Sequence, residues 1–231
     1  MIHKNFQCDF YFIRHGESES NATPGMMAGK NFDAPLTAKG YKQADAVGRR
    51  LKADGVTFDK IYSSSMARTI ATTETMLKAM GEGDRQFPRI DAIIEQQMPG
   101  WRGVPVSDVR TDELVAYMRG KGAHFVPPEG ESSRMVQRRY ASWLEEEILY
   151  NEDLVSKEQS LTIAVVGHGA ATRCLLHYIL GFDEAFIQRM QLDNTSISRF
   201  RFDQQGWFAI SINDGAHLRT AELDGQSAIT T

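Results

Sequence analysis

The sequence of 231 residues has few of the features that mark secreted, membrane-bound or disordered proteins. Its two cysteines, Cys8 and Cys174, are too few for the disulfide framework of a small secreted protein. Its 19 glycines and 7 prolines fall well below the share found in disordered or collagen-like chains. No apolar run reaches the roughly 18 residues of a membrane span, and residues 1–8 lack the apolar core of a signal peptide. These absences predict a cytoplasmic globular protein without membrane association.

Charge of one sign is also scarce, since 26 lysines and arginines face 30 aspartates and glutamates, for a formal net charge of -4. This balance disfavours a general nucleic-acid-binding surface but leaves room for a local basic pocket. A chain of this length can bury a large core without metal or disulfide staples. Because no linker, repeat or low-complexity tract interrupts the chain, we expect one domain over residues 1–231.

The apolar pattern predicts strands that alternate with helices. Short segments rich in β-branched and aromatic residues predict strands at 9–13, 59–62, 89–94 and 161–166. Helical spacing of apolar residues predicts helices at 37–54, 66–80, 132–149 and 170–180, and one more within 108–119. Thr37 is the expected N-cap of the first helix. Residues 196–202 and 207–212 predict a terminal hairpin. The alternation predicts an α/β fold, a three-layer α/β/α sandwich around a largely parallel central sheet.

Polar clusters directly follow three of the predicted strands. They are residues 14–18 (RHGES), residues 63–65 (SSS) with Arg68 one turn later, and residues 167–169 (GHG). Because ligands bind beyond the carboxyl ends of parallel strands, we expect the three clusters to meet at one edge of the sheet. Two arginines, two histidines and the N–H groups of helix starts would form a site for a dianion there.

Each cluster has an ordinary structural explanation when it is considered alone. A serine run before a helix is typical of an N-cap, and a lone histidine after a strand is more often structural than catalytic. Two His-Gly turns and an arginine-bearing turn, each directly after a strand, favour a functional site instead.

The order of these motifs resembles branch 1 of the histidine phosphatase superfamily, the phosphoglycerate mutase-like enzymes. The resemblance rests on residues 14–18 with Asn21, 35–44 (PLTAKGYKQA), 63–69 (SSSMART), Glu95, 130–132 (GES), 166–169 (VGHG) and 213–218 (NDGAHL). It covers residues 9–218. It implies a phosphoglycerate mutase-like fold and a metal-independent phosphomonoesterase, a phosphoric monoester hydrolase that needs no cofactor.

The same resemblance implies a covalent mechanism centred on His15, which would be the nucleophile that is transiently phosphorylated. The phosphoryl group would be held by Arg14, Arg68, His168, Asn21 and Gly169. Guanidinium and imidazolium groups suit this task because phosphoryl transfer spreads charge over three equatorial oxygens. An imidazole can attack through one nitrogen if the other is held as a hydrogen-bond donor.

Glu95 would be the proton donor, because it opens residues 95–103, which resemble the acid loop of the family. The leaving oxygen needs a proton, which a pocket carboxyl can supply. Without the resemblance, a glutamate after an apolar strand end is more often a solvated loop residue or a helix cap.

Two departures from the family pattern leave the identity of the substrate open. Many members have Trp-Glu-Gly where this chain has Trp101-Arg102-Gly103, so Arg102 is either a solvated charge or an extra contact for an acidic substrate. Met26, Met27 and Ala28 stand where an arginine and a glutamine are expected. We expect residues 96–130 to form a capping insertion and the substrate to be a small phosphorylated metabolite.

Several other functions remain as alternatives. Phosphoglycerate mutases resemble this chain but carry paired arginines after the acid loop, where residues 117–122 (YMRGKG) offer one. A phosphatase of proteins or phosphopeptides is compatible with the fold. A phosphate-binding protein without catalysis would be expected to lack His15, Arg68, His168 or the acid, and none of these is missing. A metal hydrolase is disfavoured because metal-ligand spacing is absent and arginines would repel a cation. The oligomeric state stays open, a homodimer being one possibility.

Overall fold

Six strands form one sheet in a computed structural model that describes residues 6–23, 25–27, 32–157 and 159–219. The strands are β1 (Phe6–Arg14), β2 (Lys60–Ser64), β3 (Arg89–Ile90), β4 (Gln159–Gly167), β5 (Ile197–Asp203) and β6 (Gly206–Asp214). Their order across the sheet is β3-β2-β4-β1-β5-β6. The first four strands in this order run parallel, while β5 and β6 form the antiparallel hairpin at one edge. The predicted largely parallel sheet is therefore confirmed.

Helices cover both faces of the sheet. They are α1 (Ala38–Ala53), α2 (Ala67–Met80), α3 (Val106–Val109), α4 (Asp112–Lys121), α5 (Ser133–Leu144), α6 (Glu152–Val155) and α7 (Gly169–Leu180). One apolar cluster joins one face of the sheet to α5 and α7, and the other joins the opposite face to α1 and α2. This arrangement confirms the predicted three-layer sandwich.

The central strand β1 shows why both faces need cover. Phe10 and Phe12 belong to the cluster on the side of α5 and α7, whereas Tyr11 and Ile13 belong to the cluster on the side of α1 and α2. Successive side chains of a strand point to opposite faces, so a strand with apolar residues at consecutive positions must be buried on both sides. The run therefore places β1 in the middle of the sheet.

Three predicted elements differ from the structure in more than the position of their ends. The strand expected at 89–94 has only two residues, because the chain turns into a 3-10 helix at Asp91–Ile93 that buries Ile93. The helix expected within 108–119 consists of α3 and α4, and the side chain of Thr111 caps α4. The helix expected at 132–149 changes to a π-helical turn at Glu145–Leu149. Short apolar runs do not distinguish strand from helix by periodicity, which explains the first difference.

Residues 96–130 form short helical elements and contribute no strand to the sheet. Among the described residues, α4 buries none of its side chains, and residues 99–125 include a stacked aromatic pair, Trp101 and Phe125. The backbone of this segment is tied to the loop after β1, since Met27 donates to Val104 O (2.8 Å) and Val106 to Gly25 O (2.8 Å). Its role as a capping insertion in a single domain stays a prediction.

None of the helices in the described ranges combines the length and apolar content needed to cross a bilayer.

Candidate active site

The polar clusters meet at the carboxyl ends of β1, β2 and β4. In the register of the sheet, Arg14 pairs with Gly167 and Ser63 with Val166, so the residues that follow these strands are neighbours. The rings of His15 and His168 come to 5.2 Å between centroids. The structure thus brings together side chains that are distant in the sequence, as the parallel arrangement predicts.

His15 is buried, and its two ring nitrogens have different partners. Nδ1 lies 2.6 Å from the carbonyl oxygen of Gly16, which can only accept, so Nδ1 carries the hydrogen. Nε2 accepts a hydrogen bond from Arg68 Nε at 3.2 Å. Burial, and then the charges of Arg68 and Arg14, hold the pKa of His15 well below its usual value of 6.5. The ring is therefore neutral at pH 7, with a lone pair on Nε2.

His168 lies fully buried beside His15. Its Nε2 is 2.8 Å from the hydroxyl of Ser64, whereas its buried Nδ1 has no hydrogen-bond partner within the described part of the chain. Burial, and then the charge of Arg68, hold the pKa of His168 well below its usual value of 6.5. Since an unsatisfied buried polar atom is costly, Nδ1 marks a position where a ligand atom would be stabilising.

The pocket owes its positive charge to Arg68, which is buried, and to Arg14, which is partly buried. Arg68 donates from Nη1 to the carbonyl of Phe32 at 2.8 Å, and Arg14 donates from Nη1 to the carbonyl of Leu192 at 2.5 Å. Burial lowers the pKa of Arg14 to about 10, which leaves the group charged at neutral pH. Cationic groups beside neutral imidazoles form a site for an anion.

Two glycines allow backbone and side chains to approach closely here. A Cβ atom on Gly16 would lie 2.5 Å from the carbonyl oxygen of Gly40 at the start of α1. A Cβ atom on Gly169 would lie 3.2 Å from Nε of Arg14. Side chains at these positions would therefore push α1 away from the His15 turn or crowd the Arg14 guanidinium.

Asn21 lies at the margin of the site and is exposed. Its Oδ1 accepts from the backbone N–H of Ser18 at 3.1 Å and from Nδ2 of Asn194 at 3.3 Å. The side chain thus ties the loop after His15 to the segment before β5. The contact of Asn21 with phosphate stays a prediction, and the side-chain amide has N–H groups that can donate to phosphate oxygens.

Glu95 occupies the N-terminus of α7, next to His168. Its Oε1 accepts from the N–H of Ala171 at 2.8 Å, and its Oε2 accepts from the N–H of Ala170 at 3.1 Å. The carboxylate therefore caps α7, since the first N–H groups of a helix have no partner within it. This position lies at the edge of the pocket, as the predicted role of Glu95 requires. Proton donation by Glu95 stays a prediction.

Asn194 and Thr195 support the site, although no sequence pattern predicted either residue. The N–H of Thr195 reaches the carbonyl oxygens of Arg14 (3.0 Å) and His15 (3.2 Å), and Nδ2 of Asn194 reaches the carbonyl of His15 (3.0 Å). Thr195 has a φ of 57°, a left-handed conformation that β-branched residues seldom adopt. No local pattern indicates this contact, because Asn194 and His15 are 179 residues apart.

Arg173 is a further, partly buried cation that was not predicted. Its charge contributes, after burial, to lowering the pKa of Arg14, and Nη1 lies 3.5 Å from the carbonyl oxygen of Met190. Burial also lowers the pKa of Arg173 itself, while Glu95 raises it. Its position four residues after Gly169 on a predicted helix was the available signal, because residues i and i+4 share a helix face.

Of the two departures from the family pattern, Arg102 is the one that the structure describes fully. The side chain is exposed, and its guanidinium lies 5.6 Å from the centre of the Phe32 ring. Phe32 in turn accepts the hydrogen bond from Arg68, so Arg102 borders the loop that holds a pocket residue. Met26 pairs with Pro105 in an isolated bridge, and Ala28 lies outside the described residues.

Across the described ranges, no group of three or more His, Cys, Asp or Glu residues is arranged to hold a metal ion. The polar groups at the sheet edge are instead arginines and histidines, which suit an anion.

The chain is similar to known proteins over most of its length. A family model described as the histidine phosphatase superfamily, branch 1, matches residues 10–215. The "Probable phosphoglycerate mutase GpmB" of Salmonella typhi is 30% identical over 232 residues, which cover 93% of this chain and 96% of that protein.

Solved structures agree with the fold. A phosphoserine phosphatase from Entamoeba histolytica in complex with 3-phosphoglyceric acid superposes with a TM-score of 0.74 at 25% identity, over 94% of this chain and 99% of that chain. The alpha-ribazole phosphatase from Shigella flexneri has a TM-score of 0.71 at 22% identity, over 89% of this chain and 96% of that chain. The second likeness concerns the fold alone.

Proposed function

Since the chain belongs to branch 1 of the histidine phosphatase superfamily, we propose that it is a metal-independent phosphatase that hydrolyses small phosphomonoesters through a phosphohistidine at His15. Proteins of this kind include phosphatases and mutases, and both transfer a phosphoryl group. The observation that carries the proposal is the neutral imidazole of His15, whose Nε2 lone pair faces a pocket with two arginines.

In the first step, Nε2 of His15 attacks phosphorus in line with the ester bond. The ester P–O bond breaks, its electron pair stays on the leaving oxygen, and the carboxyl group of Glu95, which is protonated before this step, supplies the proton and becomes a carboxylate. Arg68 Nε now points at Nε2, so the same donor is placed to follow the phosphoryl oxygens once the N–P bond forms. Arg14 and Nδ1 of His168 would hold the remaining oxygens.

In the second step, water attacks the phosphohistidine. The P–N bond breaks, its electron pair returns to Nε2, and the carboxylate of Glu95 takes the proton from water. The enzyme regains its starting protonation state, so no cofactor or metal is required for the balance.

A mutase is the second candidate, because relatives at about 30% identity carry that name. A mutase must bind a second anionic group of its substrate while phosphate moves. Residues 117–122 supply one arginine, Arg119, on an exposed part of α4, which favours hydrolysis over transfer.

The decisive experiment is to quench the enzyme during turnover with labelled substrate. We expect acid-labile, base-stable label in the wild type, no label and no turnover in His15→Ala, and a closely similar melting temperature for both proteins. Label on a serine within residues 63–65 would contradict the proposal, and so would a phosphatase rate that a chelator abolishes and a divalent ion restores.

The substrate class is tested with a panel of phosphorylated metabolites and phosphopeptides, with phosphate release as the readout. Efficient release from sugar or acid phosphates would support a metabolite phosphatase. Interconversion of phosphoglycerate isomers without phosphate release would establish the mutase instead, and a clear preference for phosphopeptides would establish a protein phosphatase.

A further inference from the structure

The segment that carries Glu95 is attached to α5 by a single guanidinium. Nη1 of Arg139 donates to the carbonyl oxygen of Ala92 at 2.8 Å, and Nη2 donates to the carbonyl oxygen of Glu95 at 3.1 Å. Both bonds are made to the backbone, on either side of residues 93 and 94. Arg139 therefore holds the two ends of the short stretch that leads to Glu95.

Glu131 completes this attachment. Its two carboxylate oxygens accept from Nε (2.9 Å) and Nη2 (3.0 Å) of Arg139 in a forked pair. The Oε2 atom also accepts from the N–H of Gln97 at 3.0 Å, and the backbone of Glu131 bonds to Gln96 and Gln97. The backbone on both sides of Glu95 is thus fixed by one ion pair.

The ion pair has the properties of a positioning device. The side chains of Arg139 and Glu131 are only 20% and 17% exposed, so solvent weakens their interaction less than that of a surface pair. The planar guanidinium of Arg139 donates to four acceptors, which a lysine cannot do because its ammonium group is a compact point charge with three donors.

We propose that Arg139 and Glu131 are positioning residues, which hold the carboxyl of Glu95 where it can exchange a proton with the leaving oxygen and with water. Neither side chain contacts the imidazoles of His15 or His168 in the structure's described hydrogen bonds. They act through the backbone of Glu95. The inference rests on the proposed role of Glu95 and extends it to residues outside the pocket.

The test is single-turnover phosphorylation of His15 by an alkyl phosphate and by nitrophenyl phosphate. An alkoxide needs a proton to leave, whereas nitrophenolate leaves largely without one. We expect Arg139→Lys and Glu131→Gln to slow the alkyl reaction by roughly 10- to 100-fold, because small displacements of a catalytic group cost about this much. The nitrophenyl reaction should change by less than about threefold.

Arg138→Lys is the matched control, since Arg138 is the exposed neighbour on the same helix and should leave both reactions unchanged. The double variant Arg139→Lys with Glu95→Gln should react with the alkyl phosphate at about the rate of Glu95→Gln alone, because both changes affect one proton transfer. Additive losses would overturn the inference, because Arg139 would then act independently of Glu95.

Failure of this inference can be distinguished from failure of the acid assignment. If Glu95→Gln slows only the alkyl reaction while Arg139→Lys slows neither or both equally, the positioning role is wrong and Glu95 remains the acid. If Glu95→Gln slows both reactions equally, the acid assignment itself is wrong. Should Arg139→Lys fold poorly, Glu131→Gln gives the same comparison with a nearly isosteric change.

Discussion

At the edge of the sheet, charged arginine side chains lie beside neutral histidine side chains. Arg68 is buried and Arg14 partly buried, yet both stay charged, and they help to keep His15 neutral. A neutral imidazole among fixed cations suits the proposed attack on a phosphate dianion, because the cations attract the substrate while Nε2, which accepts a hydrogen bond from Arg68, carries no proton. The hydrogen on Nδ1 is directed to a backbone carbonyl, which leaves Nε2 without a proton for the proposed attack.

Arg68→Ala should slow the phosphorylation of His15 by about 10²- to 10³-fold, and Arg68→Lys should slow it less. Arg68 donates to His15 from Nε and to Phe32 from Nη1, and a lysine can replace the charge but not both directed bonds. Rapid-quench measurement of the first turnover gives these rates. The control is Arg49→Lys, since the side chain of Arg49 is 75% exposed on α1. Equal rates in wild type, Ala and Lys would assign Arg68 to a purely structural role.

Among the secondary-structure elements, α7 has three candidate site residues at its first turn. His168 precedes the helix, Gly169 begins it, and the carboxylate of Glu95 caps its free N–H groups. The cap places a negative group where the helix dipole is favourable. The same hydrogen bonds hold the carboxyl of Glu95, in the predicted acid loop, at the helix start that directly follows His168.

Glu95→Gln should therefore lower stability as well as activity. An amide offers one oxygen where the carboxylate offers two, so one N–H of α7 loses its acceptor, at a cost of about 1 kcal/mol. Phosphorylation by a sugar phosphate should slow by ~10²–10⁴, with a much smaller loss for nitrophenyl phosphate. Urea denaturation and single-turnover kinetics measure the two effects separately.

Glu74→Gln, an exposed position on α2, is the control for both measurements. A loss of stability without any dependence on the leaving group would reduce Glu95 to a helix cap. The proton donor would then have to be another group of the pocket.

Within the described residues, the molecule buries two histidines, His15 and His168, and partly buries His217. The pKa values of His15 and His168 lie well below 6.5, and burial lowers that of His217 to about 4. In the unfolded chain these groups return to an ordinary pKa near 6.5. Below that pH the unfolded chain binds more protons than the folded one, so acid destabilises the fold.

We expect the free energy of unfolding to fall as the pH decreases from about 6.5 to 4, with each such histidine contributing up to ~1.4 kcal/mol per pH unit. The free energy of unfolding falls in acid because the pKa values of these histidines are lower in the folded state than in the unfolded state. Their contribution to stability is complete above pH 6.5. Urea denaturation from pH 7 to 4 measures the slope, and His217→Gln should make it shallower than in the wild type. His124→Gln, at an exposed histidine, should not. Parallel curves for His217→Gln and wild type would contradict the expectation.

Much of this arrangement follows from local patterns in the sequence. Consecutive apolar residues in β1 require cover on two faces, and the residues that follow parallel strands must share one edge. Thr37 caps α1 as its sequence position predicts, with the side chain accepting from Gly40 N–H. The layers, the strand ends and the cluster of His15, Arg68 and His168 are consequences of such patterns.

Other features were decided only by the tertiary structure. Glu95 caps a helix 75 residues away, Arg139 reaches back 44 residues to the carbonyl of Glu95, and Asn194 binds the carbonyl of His15 across 179 residues. Such contacts join segments that approach each other only when the layers pack, and their side chains show no periodicity that could indicate a partner. The sequence by itself therefore determined which groups stand at the sheet edge, whereas packing decided how their backbone and the acid loop are held.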